Sequence, residues 1–531
     1  MNRRKFTKNL GLTTGAILGA PSILSSSQLS TKKQPNLLYV FPDQMRLHAM
    51  NFWRTKGFKG ALSTACDPVV TPSLDKFAKE SLVLTQATST HPVCSPHRGM
   101  LMSGMFPSKN GIEGYNCRTG RNKALHSDIT CFTDVLLQSG YETAYVGKTH
   151  WHKTEALFDE NKNYVGSLEH PGGYFANSFD TYIPPGKSRH GNKFWFQFIN
   201  NTHNDAYAYS SLPKYVNGKK DGDMHRPKKF SAKYETKVIQ DFIRNKHGER
   251  DANKPFSMVW APNPPHSPYS KIEDVEENVY GKYYEEKESD VLLNRKNAHA
   301  PYPKTYSPKT KYAKSKKDRS YNDAQYYFSH ITSIDYYFGE IMKTLEEAGE
   351  VENTIVVFTS DHGEMMGSHS LMSKNYIYDE SFLVPFMVRF PKLLDHRLDD
   401  ILLGTTDIMP TLLSLMGLKN NIPSTVQGND YSDIFIKGDQ SKQQKPESAL
   451  YLNPKRKGLR TDKYTYQVNI DGKIEIYDLI KDPYQMNSLS LETIPTDDLA
   501  HLKRELGTWL KKSEDKWFQK KVNAHLIDYP V

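Results

Sequence analysis

The sequence has little cysteine, no long apolar run beyond its first thirty residues and no internal repeat. Four cysteines in 531 residues are too few for a disulfide scaffold. A membrane-spanning helix needs about 20 apolar residues in a row, and none occurs after residue 30. We find no nucleic-acid-binding motif, so no nucleic-acid partner is expected. With 37% hydrophobic and 24% charged residues, the composition is that of a globular protein. The length of 531 residues predicts more than one domain.

Acidic side chains are missing from residues 1–30, which combine a basic start with an apolar stretch ending in serines. The basic residues are Arg3, Arg4, Lys5 and Lys8. This order predicts an export signal over residues 1–30, and the paired arginines resemble the twin-arginine type. We expect the mature protein to work in the periplasm or outside the cell, with no membrane span left. Removing the signal lowers the formal net charge from +10 to +6, an excess that suits an anionic substrate.

Polar residues come after two apolar runs that are rich in strand formers. Residues 36–41 precede Asp43 and Gln44, and residues 353–358 precede Asp361 and His362. In an open α/β sheet, ligands bind outside the carboxyl ends of the strands. Each aspartate is therefore a candidate metal ligand, and a helix N-cap is the alternative.

Residues 91–104 read His-Pro-Val-Cys-Ser-Pro-His-Arg-Gly-Met-Leu-Met-Ser-Gly. Taken alone, Cys94 in Cys-x-Pro-x-Arg is equally well a buried structural cysteine. Together with Arg98, Leu101 and the closing Ser-Gly, the pattern resembles the signature of the formylglycine-dependent type I sulfatases of the alkaline phosphatase superfamily. In that family a maturase oxidises this cysteine to the aldehyde-bearing residue formylglycine.

Further motifs occur in the family's order and extend the resemblance over nearly the whole mature chain. They are Asp43-Gln44, Gly147-Lys148-Thr149-His150, Pro265-His266-Ser267-Pro268, Asp361-His362 and Lys374. Two positions depart from the family pattern. Gln44 stands where a second aspartate is common, although its carbonyl oxygen still suits a hard cation. Thr149 replaces a frequent tryptophan, and His152 is an alternative candidate for the role of His150.

The resemblance implies a set of ligands and catalytic groups. The implied ligands of one Ca²⁺ per chain are Asp43, Gln44, the modified Cys94, Asp361 and His362. The implied catalytic residues are Cys94, Arg98, Lys148, His150, His266 and Lys374. In this scheme one hydroxyl of the formylglycine hydrate attacks sulfur, His266 protonates the leaving sugar oxygen, and both lysines stabilise the sulfuryl group. His150 then takes a proton from the second hydroxyl, which expels sulfate and restores the aldehyde.

The implied fold is α/β: a large, mixed, mostly parallel sheet sandwiched by helices, with a small C-terminal antiparallel β/α subdomain. We expect a catalytic domain over residues 31–420 and the subdomain over 421–531. Within the first, residues 153–235 are expected to form long loops and residues 321–348 an amphipathic helix. In the second, strands over 459–466 and 474–479 are expected to flank an Asp-Gly turn.

The implied function is hydrolysis of a sulfate ester on a carbohydrate, with oligosaccharides of a marine algal polysaccharide, ulvan, favoured by analogy. Two alternatives stay open: a phosphoester or phosphonate monoester hydrolase of the same superfamily, and a catalytically silent glycan-binding protein. If Cys94 is converted, then Cys66, Cys117 and Cys131 remain, and they allow at most one disulfide. The sequence leaves open the sulfated hydroxyl, exo or endo action and the oligomeric state.

Overall fold

A computed structural model describes residues 34–114, 117, 123–152, 182–199, 202–287, 289–298, 300 and 311–530, without side chains at 289–290 and 311–322. The predicted export signal, residues 1–30, lies outside the described residues. Every helix in the described part of the chain is too short or too polar to cross a membrane.

Nine strands of the described residues form one large sheet. They are β1 (Asn36–Val40), β2 (Leu82–Leu84), β3 (Glu142–Gly147), β4 (Phe194–Phe198), β5 (Ala208–Ser210), β6 (Phe256–Ala261), β7 (Thr354–Phe358), β8 (Phe386–Arg389) and β9 (Arg397–Asp399). Their order is β5-β4-β3-β6-β1-β7-β8-β2-β9. The central strands from β4 to β7 run parallel, whereas β5 and β8 run antiparallel to their neighbours. The predicted mixed, mostly parallel sheet is therefore confirmed.

Helices connect the strands. They are α1 (Pro72–Ala78), α2 (Cys94–Ser103), α3 (Pro107–Asn110), α4 (Phe132–Gln138), α5 (Ser231–Arg244), α6 (Glu277–Tyr283), α7 (Ser289–Leu292), α8 (Lys311–Glu347), α9 (Asp379–Phe382), α10 (Thr405–Leu415), α11 (Ser432–Lys437), α12 (Thr496–Lys512) and α13 (Lys516–Lys520). The expected start of α8 at residue 321 was wrong, because no proline or glycine interrupts residues 311–320 and their lysines, alanine and arginine favour a helix.

The two faces of the large sheet pack against separate helical layers. Alternate residues of a strand point to opposite faces, so Leu38 and Val40 of β1 pack with the apolar sides of α1, α5 and α8. Leu37 and Tyr39 pack on the other face with α2, α4, α10 and α11. Burial on both faces explains why β1 and β7 are apolar without alternation.

Four further strands form a separate antiparallel sheet near the C-terminus. They are β10 (Ala449–Asn453), β11 (Arg456–Arg460), β12 (Tyr464–Asn469) and β13 (Ile474–Asp478). The expected Asp-Gly turn joins β12 to β13, with Gly472 at a φ of 83°. The single strand expected over 459–466 was wrong, because the Thr461 hydroxyl accepts the Lys463 and Tyr464 N–H groups and turns the chain between β11 and β12.

Two other expectations from the sequence, one on loops and one on a disulfide, are not met. Residues 153–235 are not all loops, since they contain β4, β5 and the first turns of α5. The aromatic strand β4 lies in a segment rich in Asn, Gly, Lys and His, which hides its pattern in any longer window. Cys66, Cys117 and Cys131, all within the described residues, do not form the one disulfide that the sequence allows.

Candidate active site

Four neighbouring parallel strands, in the order β3-β6-β1-β7, end at one edge of the large sheet. The chain continues from these ends into Lys148, His266, Asp43 and Asp361, respectively. Two main-chain hydrogen bonds extend the ladder past the strands, from Lys148 N–H to Ala261 O (2.8 Å) and from Asp43 N–H to Pro262 O (3.1 Å). Parallel pairing therefore brings together residues that are up to 318 positions apart, from Asp43 to Asp361.

The helix α2 adds Cys94 and Arg98 to this edge. Its first residue is Cys94, after Val93 in an extended conformation, and every residue of the helix is buried. The Cys94 Sγ lies 3.3 Å from His362 Nε2, 3.6 Å from Asp43 Oδ1 and 3.8 Å from Lys148 Nζ. The predicted nucleophile is thus at the positively polarised first turn of a helix and among charged groups.

Arg98 is buried and contacts both Asp43, which follows β1, and Asp361, which follows β7. Its Nε and Nη2 each donate to Asp361 Oδ2 at 3.2 Å, and Nη2 also donates to Asp43 Oδ2 at 3.2 Å. Its Nη1 donates to Lys148 O at 2.6 Å, and the guanidinium lies 4.7 Å from the centre of the Phe41 ring. Removing one partner from such a buried ionic group costs about 3–5 kcal/mol, so these contacts fix the geometry of the cluster.

The two carboxylate oxygens of Asp43, and likewise those of Asp361, contact different groups. Their Oδ2 atoms accept from Arg98, and Asp43 Oδ2 also pairs with Lys148 Nζ. Their Oδ1 atoms face the other way, each 3.6 Å from His362 Nε2. One ligand atom from each of Asp43, Cys94, Asp361 and His362 lies within 4.8 Å of the others. This donor set fits a divalent cation, with two carboxylates to balance its charge.

Hydrogen bonds orient the side chains of His362 and Gln44. The Nδ1 of His362 lies 3.0 Å from Gly363 O, which can only accept, so Nδ1 carries hydrogen and Nε2 can ligate a metal. The Gln44 side chain contacts Lys374 and Glu364: its oxygen accepts from Lys374 Nζ, and its nitrogen donates to Glu364. The Gln44 main-chain N–H donates to Asp361 Oδ1 at 3.0 Å.

Burial and the neighbouring cations act in opposite directions on the pKa values of Asp43 and Cys94, and the cations prevail. Burial would raise the pKa of Asp43, but Lys148, His266, Arg98 and Lys374 hold it well below its usual range. Burial and Asp43 would raise the pKa of the Cys94 thiol, but the neighbouring cations outweigh them and lower it. The cations around both groups therefore favour negative charge, which suits an anionic substrate.

His150 and His266 border this cluster. His150 is buried at a φ of 55°, neither of its ring nitrogens has a hydrogen-bond partner among the described residues, and burial with nearby Lys148 lowers its pKa well below its usual value. His266 is half-buried, and burial with Lys374 and Lys148 lowers its pKa likewise. His152, the alternative to His150, is half-buried as well.

The sequence analysis missed a supporting histidine beside His266. His203 Nε2 lies 2.6 Å from His266 O, and Asn263 donates to His203 Nδ1 at 3.2 Å. Burial lowers the pKa of His203 to about 4, so the ring is neutral and its Nε2–H fixes the His266 main chain. No signal in the polar segment around His203 pointed to this contact.

A second missed group lies inside the nucleophile motif. His97 Nδ1 is 2.9 Å from the Ser89 hydroxyl, which donates to Asp361 O at 2.6 Å. His97 is buried, and burial lowers its pKa well below its usual value. The only sequence feature that could have indicated His97 is its position three residues after Cys94. Through Ser89, His97 connects α2 to the turn after β7.

Comparison with known proteins places these residues in a family. The family model described as "Sulfatase" matches residues 35–418, and one described as "N-sulphoglucosamine sulphohydrolase, C-terminal" matches residues 367–513. The first match alone covers well over half of the chain.

Similar proteins cover nearly all of the chain. An endo-4-O-sulfatase of Bacteroides thetaiotaomicron is 36% identical over 94% of this chain and 96% of its own length. An ulvan-active sulfatase of Formosa agariphila is 29% identical over 92% of this chain and 84% of its own. A solved structure from work on glycosaminoglycan metabolism by B. thetaiotaomicron superposes with a TM-score of 0.82 at 35% identity, covering 94% of this chain and 100% of that one. This chain belongs to the sulfatase family, and it is a sulfatase of the alkaline-phosphatase-like fold.

Proposed function

We propose that this sulfatase removes O-sulfate groups from a sulfated polysaccharide, with 4-O-sulfate on glycosaminoglycan chains as the first candidate substrate. The observation that carries this choice of substrate is the 36% identity with an endo-4-O-sulfatase over 94% of the chain. The relative that superposes with a TM-score of 0.82 comes from work on glycosaminoglycan metabolism. Ulvan is the second candidate, supported by the 29% identical ulvan-active sulfatase.

The reaction in this proposal begins at Cys94. Conversion of Cys94 to formylglycine by a maturase would supply, as the aldehyde hydrate, a hydroxyl that attacks sulfur and a second one that allows sulfate to leave. Asp43 and Lys148 both contact this position, at 3.6 and 3.8 Å from Sγ. These contacts orient the group, and Lys148 stabilises negative charge on it.

The cation in this proposal is Ca²⁺, held by Asp43, Gln44, Asp361, His362 and residue 94. When bound, it would supply positive charge next to the nucleophile and the sulfate oxygens. The Oδ1 atoms of both aspartates and Nε2 of His362 face this position and support the assignment. Arg98 holds the opposite Oδ2 atoms, so it keeps both carboxylates turned toward the cation.

Proton transfer is assigned to two histidines. His266 must be protonated to act as an acid, and in the free enzyme burial, Lys374 and Lys148 oppose its protonation. An anionic sulfate bound against these lysines would offset their charge and raise the pKa of His266, so substrate binding itself prepares the acid. His150, neutral and without a hydrogen-bond partner in the described part of the chain, is available to accept a proton from residue 94.

We also propose that residues 1–30 direct export, because an exported enzyme can meet large extracellular polysaccharides. The catalytic domain would span residues 31–420 and the C-terminal subdomain residues 421–531. The four-stranded sheet and α12 lie within the second range and share one apolar cluster, to which Met100 and Phe106 of the first range also belong.

A panel of sulfated carbohydrates tests the proposed substrate. Purified protein, co-expressed with a maturase, is incubated with 4-O-sulfated and 6-O-sulfated glycosaminoglycan chains, with 4-O-sulfated disaccharides and with ulvan oligosaccharides. We expect released sulfate, measured by ion chromatography, from the 4-O-sulfated chains and more slowly from the disaccharides.

Other outcomes of the panel revise the proposal. Release from ulvan alone would replace the first candidate by the second, and faster release from disaccharides would contradict endo action. Phosphate release from a phosphate monoester, with no sulfate release from any member of the panel, would overturn the assignment of sulfate esters as substrates.

A further inference from the structure

One buried carboxylate that the proposed mechanism does not use, Glu364, connects the segments that carry the site. Its Oε2 accepts from the Gln44 side-chain amide and from the Tyr269 hydroxyl at 3.1 Å. Its Oε1 accepts the main-chain N–H groups of Met366, at 3.0 Å, and Ser373. These donors lie after β1, after β6, after β7 and directly before Lys374.

The chemistry of these partners fixes the orientation of the Gln44 amide. A carboxylate only accepts hydrogen bonds and an ammonium only donates them. The NH₂ group of Gln44 must therefore face Glu364, and its oxygen must face Lys374, whose charge interacts with Cys94, Asp43 and Asp361. A reversed amide would set oxygen against the Glu364 carboxylate and NH₂ against Lys374, leaving two buried contacts without hydrogen bonds.

We propose that Glu364 is a positioning residue that keeps the Gln44 oxygen turned toward the cation site and holds the turn that presents Lys374. In the proposed function Lys374 binds the substrate sulfate, so its own contact with Gln44 cannot be relied on during the reaction. Glu364 has no proposed contact with the substrate, and its side chain is fully buried. The inference rests on the proposed function only in taking Gln44 as a calcium ligand.

The same logic makes Gln44 and Glu364 a matched pair. A carboxylate at position 44 would face the Glu364 carboxylate, with repulsion between two buried acceptors. If residue 364 were a glutamine, a glutamate at 44 could accept from its NH₂ group and turn its second oxygen to the cation. The charge of the pair would then be unchanged, with donor and acceptor exchanged.

The test measures calcium affinity by titration calorimetry on the full chain, without substrate. Because groups that orient metal ligands contribute about 10- to 100-fold to affinity, we expect Glu364→Gln to raise the dissociation constant for calcium by that factor. Glu364→Asp keeps the charge but withdraws the carboxylate from Gln44, and we expect a loss of similar size. The double variant Gln44→Glu/Glu364→Gln is expected to bind calcium at least as tightly as the wild type.

Glu235→Gln is the matched control. Glu235 is a buried glutamate of α5 that accepts from Trp260 Nε1 at 2.8 Å, and burial raises its pKa to about 8, so the change preserves its neutral form. We expect calcium affinity and the thermal midpoint of this variant to equal those of the wild type.

The outcomes separate the two proposals. Wild-type affinity in both Glu364→Gln and Glu364→Asp overturns the positioning role, and wild-type affinity in Glu364→Asp alone assigns the effect to charge and overturns it too. Failure of the double variant to recover the affinity that Glu364→Gln loses contradicts the matched pair. If the wild type binds calcium but releases no sulfate, the proposed function is wrong. The calcium affinities of the Glu364 variants then still decide whether Glu364 is a positioning residue.

Discussion

Replacing Cys94 by alanine is expected to lower kcat for sulfate release by at least about 10⁴-fold, as loss of a nucleophile does in hydrolases that form a covalent intermediate. Alanine offers no group that can be converted or that can attack sulfur. The remaining charges, Lys148 and Lys374 above all, should still bind the sulfate, so KM should change far less than kcat. Initial rates of sulfate release across substrate concentrations separate the two constants.

Cys131→Ala is the matched control for this variant. Cys131 is a buried free thiol like Cys94, but it lies at the start of α4, outside the cluster. We expect its kcat to stay near the wild-type value. Equal activity in Cys94→Ala and Cys131→Ala would mean that catalysis does not pass through residue 94.

His266→Ala is expected to reduce kcat about 10²- to 10⁴-fold on a sulfated sugar, the usual contribution of a well-placed general acid. The loss should be less than about tenfold on 4-nitrophenyl sulfate, whose leaving group is stable without a proton. Because only the protonated imidazole donates, wild-type kcat on the sugar should fall as the pH rises through the pKa of His266 in the complex. That decline should disappear in the variant.

His525→Ala, a change of an exposed histidine outside the site, serves as the control and should leave both rates unchanged. If His266→Ala lost the same factor on both substrates, His266 would act in binding or structure and not as the acid. The loss would then appear equally in kcat/KM for the two leaving groups.

The placement of the site could be predicted because two independent signals coincide. The apolar run of β1 and that of β7 identify buried parallel strands, and the residues directly after such strands lie at one edge of the sheet. Asp43 and Asp361 were therefore expected to be neighbours before any contact was known, and Arg98 bridges them at 3.2 Å from each. The helix α2 begins at Cys94, the first residue of the Cys-x-Pro-x-Arg pattern.

The supporting groups could not be predicted, because they depend on contacts between distant segments. Glu364 lies 320 residues from Gln44 and 95 from Tyr269, and no periodic pattern links them. His203 lies in a polar segment where composition indicated loops, and its role comes from one contact with the His266 carbonyl. Tertiary packing decided these positions, whereas local pattern decided the strands.

The measurement that tests the central claim most directly is the mass of the peptide containing residue 94, taken from active protein co-expressed with a maturase. The account predicts an aldehyde in place of the Cys94 thiol, in a fraction of molecules that rises in parallel with the rate of sulfate release. Full sulfatase activity in protein whose Cys94 remains an unmodified thiol would contradict it.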